Sequence, residues 1–174
     1  MPSTRLLDCA LATYTVARPR YTPPATQTDA WQFQGGLNQV KFRYIRITGI
    51  TTTGRQCSVD LIKRSTADTG GTPTTVTPAK MDGSDGVALA QVKEFAAAPS
   101  PLGTSIGTIL ATSFALAPNT VAGGYSTAAV WPMADPTYKP LILNGANEFL
   151  CINLAGIATT TADRLDLEAI FTEG

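Results

Sequence analysis

Residues 65–99 read STADTGGTPTTVTPAKMDGSDGVALAQVKEFAAAP. Gly70, Gly71, Pro73, Pro78, Gly83 and Gly86 punctuate the stretch with turn chemistry, and threonines fill the intervals with β-branched residues. Its one periodic run, 87–95, sets Ala88, Ala90 and Val92 on one face and Val87, Leu89, Gln91, Lys93 and Phe95 on the other. Ala, Leu, Gln, Lys and Glu also suit a helix; the flanking turns and the shortness of the run favour a strand. Nothing in the stretch is equipped to react. It reads as part of a β-rich surface-covering module, with Thr72, Pro73 and Pro78 as candidate partner contacts.

Strand signals continue on both sides. Val40, Phe42 and Tyr44 alternate with Lys41 and Arg43, and Ile45 and Ile47 carry the apolar pattern on in the opposite phase, which predicts a bulge or a strand covered on both faces. Residues 50–55 form a turn. In 56–64, Cys57, Val59 and Leu61 oppose Ser58, Asp60 and Ile62, so a hairpin joining 40–47 to 56–64 is expected. Downstream, 106–116 aligns Thr108, Leu110, Thr112, Phe114 and Leu116, followed by a turn over 119–124. Asn144-Gly145 is a hairpin-type turn, after which Leu150, Ile152 and Leu154 share a face. In 164–171, Leu165, Leu167, Ala169 and Phe171 point inward against Arg164, Asp166 and Glu168. Seven or eight such strands predict an all-β chain, a single antiparallel β-sandwich of jelly-roll-like form with long Thr/Gly/Pro-rich loops. No fixed-period repeat points to a propeller or solenoid.

The chain has 174 residues, enough for one domain with its own core, and is 44% hydrophobic and only 15% charged. Residues 1–38 read as an N-terminal arm with a first strand, and 39–174 as the sandwich domain. Within that arm, 17–38 carries Pro19, Pro23 and Pro24 and the Gly35-Gly36 pair. Arg18, Arg20, Tyr21, Trp31 and Phe33 are its candidate partner contacts; Trp31 and Phe33 either anchor it in a neighbour's groove or fold back on their own core. Formal charge is zero overall but +6 over residues 1–64 and −6 beyond. That asymmetry either steers neighbouring subunits together or pairs within one fold. Asp8 interrupts the short apolar stretch after Arg5, which makes neither a secretory signal nor a membrane anchor, so cytoplasmic synthesis is expected.

Histidine is absent, which removes the commonest general base and metal ligand. Cys9, Cys57 and Cys151 match no zinc or CxxC spacing. Cys57 and Cys151 sit in apolar runs and read as buried thiols; Cys9 is the candidate for an intermolecular disulfide. Asp82 and Asp85 could hold a hard cation but read more simply as an Asx turn. Asp85, Glu94 and Glu148 could supply a glycosidase carboxylate pair, whose separation the sequence does not reveal. Serine catalysis and phosphate loops lack their motifs. Lys41, Arg43 and Arg46 with Phe42 and Tyr44 could grip single-stranded nucleic acid, or mark a solvated strand face. The expectation is no enzyme, no catalytic residue, no cofactor, no metal, no nucleic acid and no membrane.

The order of elements from IKRSTADTGGTPTTVTPAKMD through ALAQVKEF, PLGTSIGTILATSF and KPLILNGANEFLCINLAG to LDLEAIFTEG resembles virion structural proteins of tailed bacteriophages. The likeness covers roughly residues 59–174. It implies a non-enzymatic capsid decoration or stabilising protein in the virion, made in the bacterial host cytoplasm. Such a protein binds as a homo-oligomer, a trimer, to major capsid or other virion proteins. Alternatives are a neck or tail component, or a carbohydrate- or receptor-binding tail-fibre module using Trp31, Trp131, Tyr125 and Tyr138 as stacking faces. A hydrolase built on Asp85 or Glu148 is a distant third.

Overall fold

Alternation becomes strand wherever one face can be buried. The computed structural model describes residues 11–26, 28–118, 126–133, 140–154 and 163–174, and these contain strands and no helix. In chain order the strands are β1 (Ala12–Tyr21), β2 (Thr28–Gln34), β3 (Gln39–Thr51), β4 (Arg55–Arg64), β5 (Pro73–Val76), β6 (Ala79–Lys80), β7 (Gln91–Phe95), β8 (Ser105–Pro118), β9 (Ala129–Pro132), β10 (Ile142–Asn144), β11 (Phe149–Leu154) and β12 (Arg164–Glu173). The expected turn over 119–124, and Cys9, Tyr125 and Tyr138, lie outside the described residues.

β12 buries Leu165, Leu167, Ala169 and Phe171, and β4 buries Cys57, Val59 and Leu61, as their period-two spacing predicts. The change of phase in β3 is a bulge. Tyr44 faces Ile170 and Phe42 faces Phe171, which leaves Arg43 as the extra residue. Val40 and Phe42 before it and Ile45 and Ile47 after it are therefore all buried.

The chain is all-β, but its sheet is mixed and curled into a half-barrel. The order is β5-β7-β2-β11-β4-β8-β3-β12-β1-β6, with β9 and β10 also on β3. Pairing is antiparallel except between β3 and β8, which run parallel over Ile50–Ala117 and Thr51–Pro118. The expectation of a wholly antiparallel sheet is corrected at that point. Curling brings Phe33 of β2 against Phe42 of β3, ring centroids 5.3 Å apart and edge to face, although β11, β4 and β8 lie between these strands in the sheet. Phe42 in turn meets Phe171 at 6.0 Å, and Tyr21 meets Trp31 at 4.4 Å.

The Thr/Gly/Pro stretch closes this curl. β5 pairs with β7 at one end of the order and β6 pairs with β1 at the other, and only Thr77 and Pro78 separate β5 from β6. Side chains bridge the same gap. Arg18 on β1 forms a two-pronged pair with Glu94 on β7 (2.8 and 2.7 Å), the Tyr21 hydroxyl donates to the Phe95 carbonyl (2.5 Å), and the Glu173 carboxylate accepts from the Leu89 and Ala90 amides.

Three sequence expectations fail here. β3 and β4 do not form a hairpin: the chain leaving β3 steps around the end of β8, which then lies between them and takes β4 as its long antiparallel partner. Asn144-Gly145 likewise turns the chain between partners, since β10 pairs with β3 while β11 pairs with β2 and β4. Within residues 11–38 there is no free arm, because β1 pairs with β12 and β2 lies between β7 and β11. The prolines that suggested an arm sit at a register shift between Arg18 and Tyr21, where Arg20 has φ 57°, and in the link that follows β1.

Candidate functional site

β11 is buried on both faces. Leu150, Ile152 and Leu154 join the main core, whereas Phe149, Cys151 and Asn153 point the opposite way by the pleat of the strand. Asp29 stands beside Asn153 and Gln32 beside Cys151 on neighbouring β2, where a register shift brings Asp29 onto this outer face. Two loops cover the face, residues 65–72 and 96–104. They are bound to each other by Ser65 N–H to Thr104 O (2.9 Å), Ser100 N–H to Thr69 O (2.8 Å) and Ala97 N–H to Gly71 O (3.0 Å). Only glycine fits at 103, because a Cβ there would collide with the Thr66 carbonyl.

Under these loops lies a buried polar cluster. Arg64 Nε donates to Asp29 Oδ2 at 2.7 Å and lies 3.5 Å from Asp68 Oδ1, and Arg64 Nη1 donates to the Gly103 carbonyl at 2.7 Å. Asn153 Nδ2 donates to Asp29 Oδ1 (2.5 Å) and the Gly103 amide to Asp68 Oδ1 (2.7 Å). The Cys151 thiol points at Asp68 Oδ2 (3.6 Å), and Gln32 Nε2 points at Cys151 Sγ (3.5 Å). Burial pushes the Asp68 carboxyl up to about 6, with Asp29 adding to the rise and the Gly103 amide and Arg64 opposing it. Burial, then Asp29 and Asp68, pushes the Cys151 thiol far up, the reverse of what a nucleophilic cysteine needs. Asp29, Asp68 and Cys151 bring a donor atom each within 4.8 Å of one another, so among the described residues these three are grouped closely enough to hold a metal.

A second feature lies on the other side of β4. β8 pairs with β4 along one edge from Ser105 to Leu116. Its opposite edge meets β3 only at Ala117 and Pro118, with Ser126 and Thr127 adding hydrogen bonds to Ala117 and Ala115. Among the described residues, no strand pairs with that edge over residues 105–113. The whole of β8 is uncharged, and Ile106, Ile109 and Leu110 are exposed by 60%, 43% and 41%. The expected inward row of Thr108, Leu110, Thr112, Phe114 and Leu116 is thus buried at Phe114 and Leu116 only. Register shifts after Leu61 and Lys63 insert Ile109 and Ile106 as extra residues and end the alternation beyond Leu110.

No protein family, curated protein or solved structure matches this chain.

Function must therefore be argued from the placement of its residues. Tyr21, Trp31 and Phe33 are buried in the core, so the self-packing alternative holds for Trp31 and Phe33, and none of the three is offered to a partner by this fold. Arg18 is tied to Glu94, and exposed Arg20 donates its amide to Asp166 (2.7 Å). Thr72 and Pro73 are exposed and Pro78 is half-buried. Trp131 is buried with Trp31, which removes both indole faces from sugar stacking. Phe42 is fully buried, so it cannot stack on a nucleic-acid base. Asp82 accepts from the Ser84 amide and hydroxyl (2.9 and 2.8 Å), the Asx turn of the simpler reading. Asp85, Glu94 and Glu148 are engaged separately, by the Thr13 amide, Arg18 and Lys63. Cys57 and Cys151 are both free and buried. Sequence reasoning missed Asp29, Arg64 and Asp68 as a group. Asp68 follows Arg64 by four residues, but nothing in the local pattern connects either to Asp29.

Proposed function

We propose that this chain is a non-enzymatic structural protein that assembles with copies of itself through the open edge of β8. The observation that carries the reading is the uncharged edge strand with Ile106, Ile109 and Leu110 in solvent. Edge strands of proteins that stay apart are protected by charge, proline or a covering segment, because unpaired backbone amides and carbonyls recruit another strand. An uncharged strand meets a second copy without like-charge repulsion. Its sequence resemblance adds the setting: a capsid-associated decoration or stabilising protein of a tailed phage, bound as a trimer to major capsid or other virion proteins. Many copies on one shell make weak polar contacts sufficient. The curled sheet belongs to this reading as a jelly-roll-like variant in which two inner faces pack as in a sandwich.

Sedimentation of the purified chain across a wide concentration range tests the proposal, alongside an Ile106→Lys/Ile109→Lys variant. A discrete oligomer that the variant reduces to monomer is the expected result. A wild-type monomer at every concentration, or a variant that assembles unchanged, overturns self-assembly through β8.

A further inference from the structure

The cluster beneath the loops 65–72 and 96–104 leaves one charge unbalanced and one buried acceptor without a partner. Arg64 is one positive charge facing two buried carboxylates, Asp29 and Asp68. With both ionised, a negative charge remains where solvent cannot reach it, an expensive arrangement unless something neutralises it. Independently, Gln32 is 1% exposed and its Oε1 has no hydrogen-bond partner. Its amide lies against Cys151, where Nε2 donates only to a sulfur, a weak acceptor. A half-turn of that amide presents Oε1 to the same point.

We propose that Asp29, Asp68, Cys151 and Gln32 form a binding site for one divalent cation of the zinc class. One sulfur and three oxygens suit a tetrahedral borderline ion, whereas calcium and magnesium take oxygen alone and in greater number. Bonds of about 2.0–2.3 Å place tetrahedral donors about 3.3–3.7 Å apart, so Asp29, Asp68 and Cys151, whose donor atoms lie within 4.8 Å of one another, must draw in by about 1 Å, while the Gln32 amide already lies 3.5 Å from Cys151 Sγ. The Sγ–metal bond forms as the Cys151 thiol releases its proton to solvent, and no oxidant or reductant takes part. Charge then closes: the ion and Arg64 supply three positive charges, and the two carboxylates and the thiolate supply three negative ones.

Surrounding hydrogen bonds fit an outer shell. Arg64 and Asn153 each hold one oxygen of Asp29, and the Gly103 amide holds Asp68 Oδ1 and leaves Oδ2 facing the thiol. The ion would tie β2, β11 and the loop 65–72 together from a side that the main core does not reach.

The test uses the full chain, stripped with chelator and titrated with Co2+ and then Zn2+. One equivalent of Co2+ should bind with a sulfur-to-metal charge-transfer band and tetrahedral visible bands, both bleached by Zn2+. Cys151→Ser should abolish the charge-transfer band, and Gln32→Leu should weaken Co2+ binding by about tenfold or more. Cys9→Ser/Cys57→Ser should retain the band, which locates the thiol even if Cys151→Ser fails to fold. A wild-type protein without the band overturns the site. So does a band that survives Cys151→Ser or disappears in Cys9→Ser/Cys57→Ser.

Discussion

β11 and β8 flank the same strand, β4, and end in opposite environments. β11 has the core on one face and two loops on the other, and its six residues are all buried. The charged groups beside it, Asp29, Asp68 and Arg64, are each held by at least one hydrogen bond. β8 is paired along its length on one edge but, among the described residues, only at Ala117 and Pro118 on the other; it carries no charge and leaves three large aliphatic side chains in water. The contrast follows from what each side has available for cover. Where the chain folds back over itself, polar groups can be buried because specific partners are held against them. Where it does not, the strand edge carries no protecting charge and its aliphatic side chains stay exposed, the feature on which the proposed self-assembly rests.

The largest effect should come from the covered side. Arg64→Met leaves Asp29 and Asp68 buried without their guanidinium, and urea titration should register a loss of about 3–5 kcal/mol. A loss below about 1 kcal/mol would show that the cluster is open to water and would break the comparison. Next is Gly103→Ala, whose Cβ meets the Thr66 carbonyl. Forcing the two loops apart should cost about 1–3 kcal/mol in thermal or urea unfolding.

Smaller still is Arg18→Ala. Its pair with Glu94 is two-pronged but the arginine side chain is 38% exposed, so solvent screening holds the expected loss to about 1 kcal/mol or less. On the open edge, Ile109→Lys should change stability by no more than about 0.5 kcal/mol while weakening the self-association proposed for β8. Equal losses for Ile109→Lys and Arg64→Met would mean that β8 is as buried as β11, and the distinction between the two sides would fall.

Much of the local structure was legible in the residues. Leu165, Leu167, Ala169 and Phe171 declared the inner face of β12, and the shift from Val40 and Phe42 to Ile45 and Ile47 narrowed β3 to a bulge or a strand covered on both faces, of which the bulge is found. The Asx turn at Asp82 and the buried thiols Cys57 and Cys151 were equally readable. Pairing was not. A hairpin between β3 and β4 is the nearest solution in sequence, and β8 displaces it from more than forty residues downstream. Pro19, Pro23 and Pro24 looked like an arm because proline excludes a ladder hydrogen bond, yet a bulge and a link accommodate all three. The candidate cation site was illegible for the same reason: Asp29, Asp68 and Cys151 come from three distant segments, and none carries a local signal.

Period, turn chemistry and composition act over a few residues, and from them the sequence by itself determined an all-β chain, its main strand faces and the poverty of charge along β8. Tertiary structure alone decided that β8 would divide β3 from β4, that the Thr/Gly/Pro stretch would join the two ends of a curled sheet, and that Arg64, Asp29, Asp68 and Cys151 would meet beneath two loops. These outcomes depend on contacts between residues far apart in the chain. Their energies are set by burial and partner geometry, which come into being only when the whole sheet has closed.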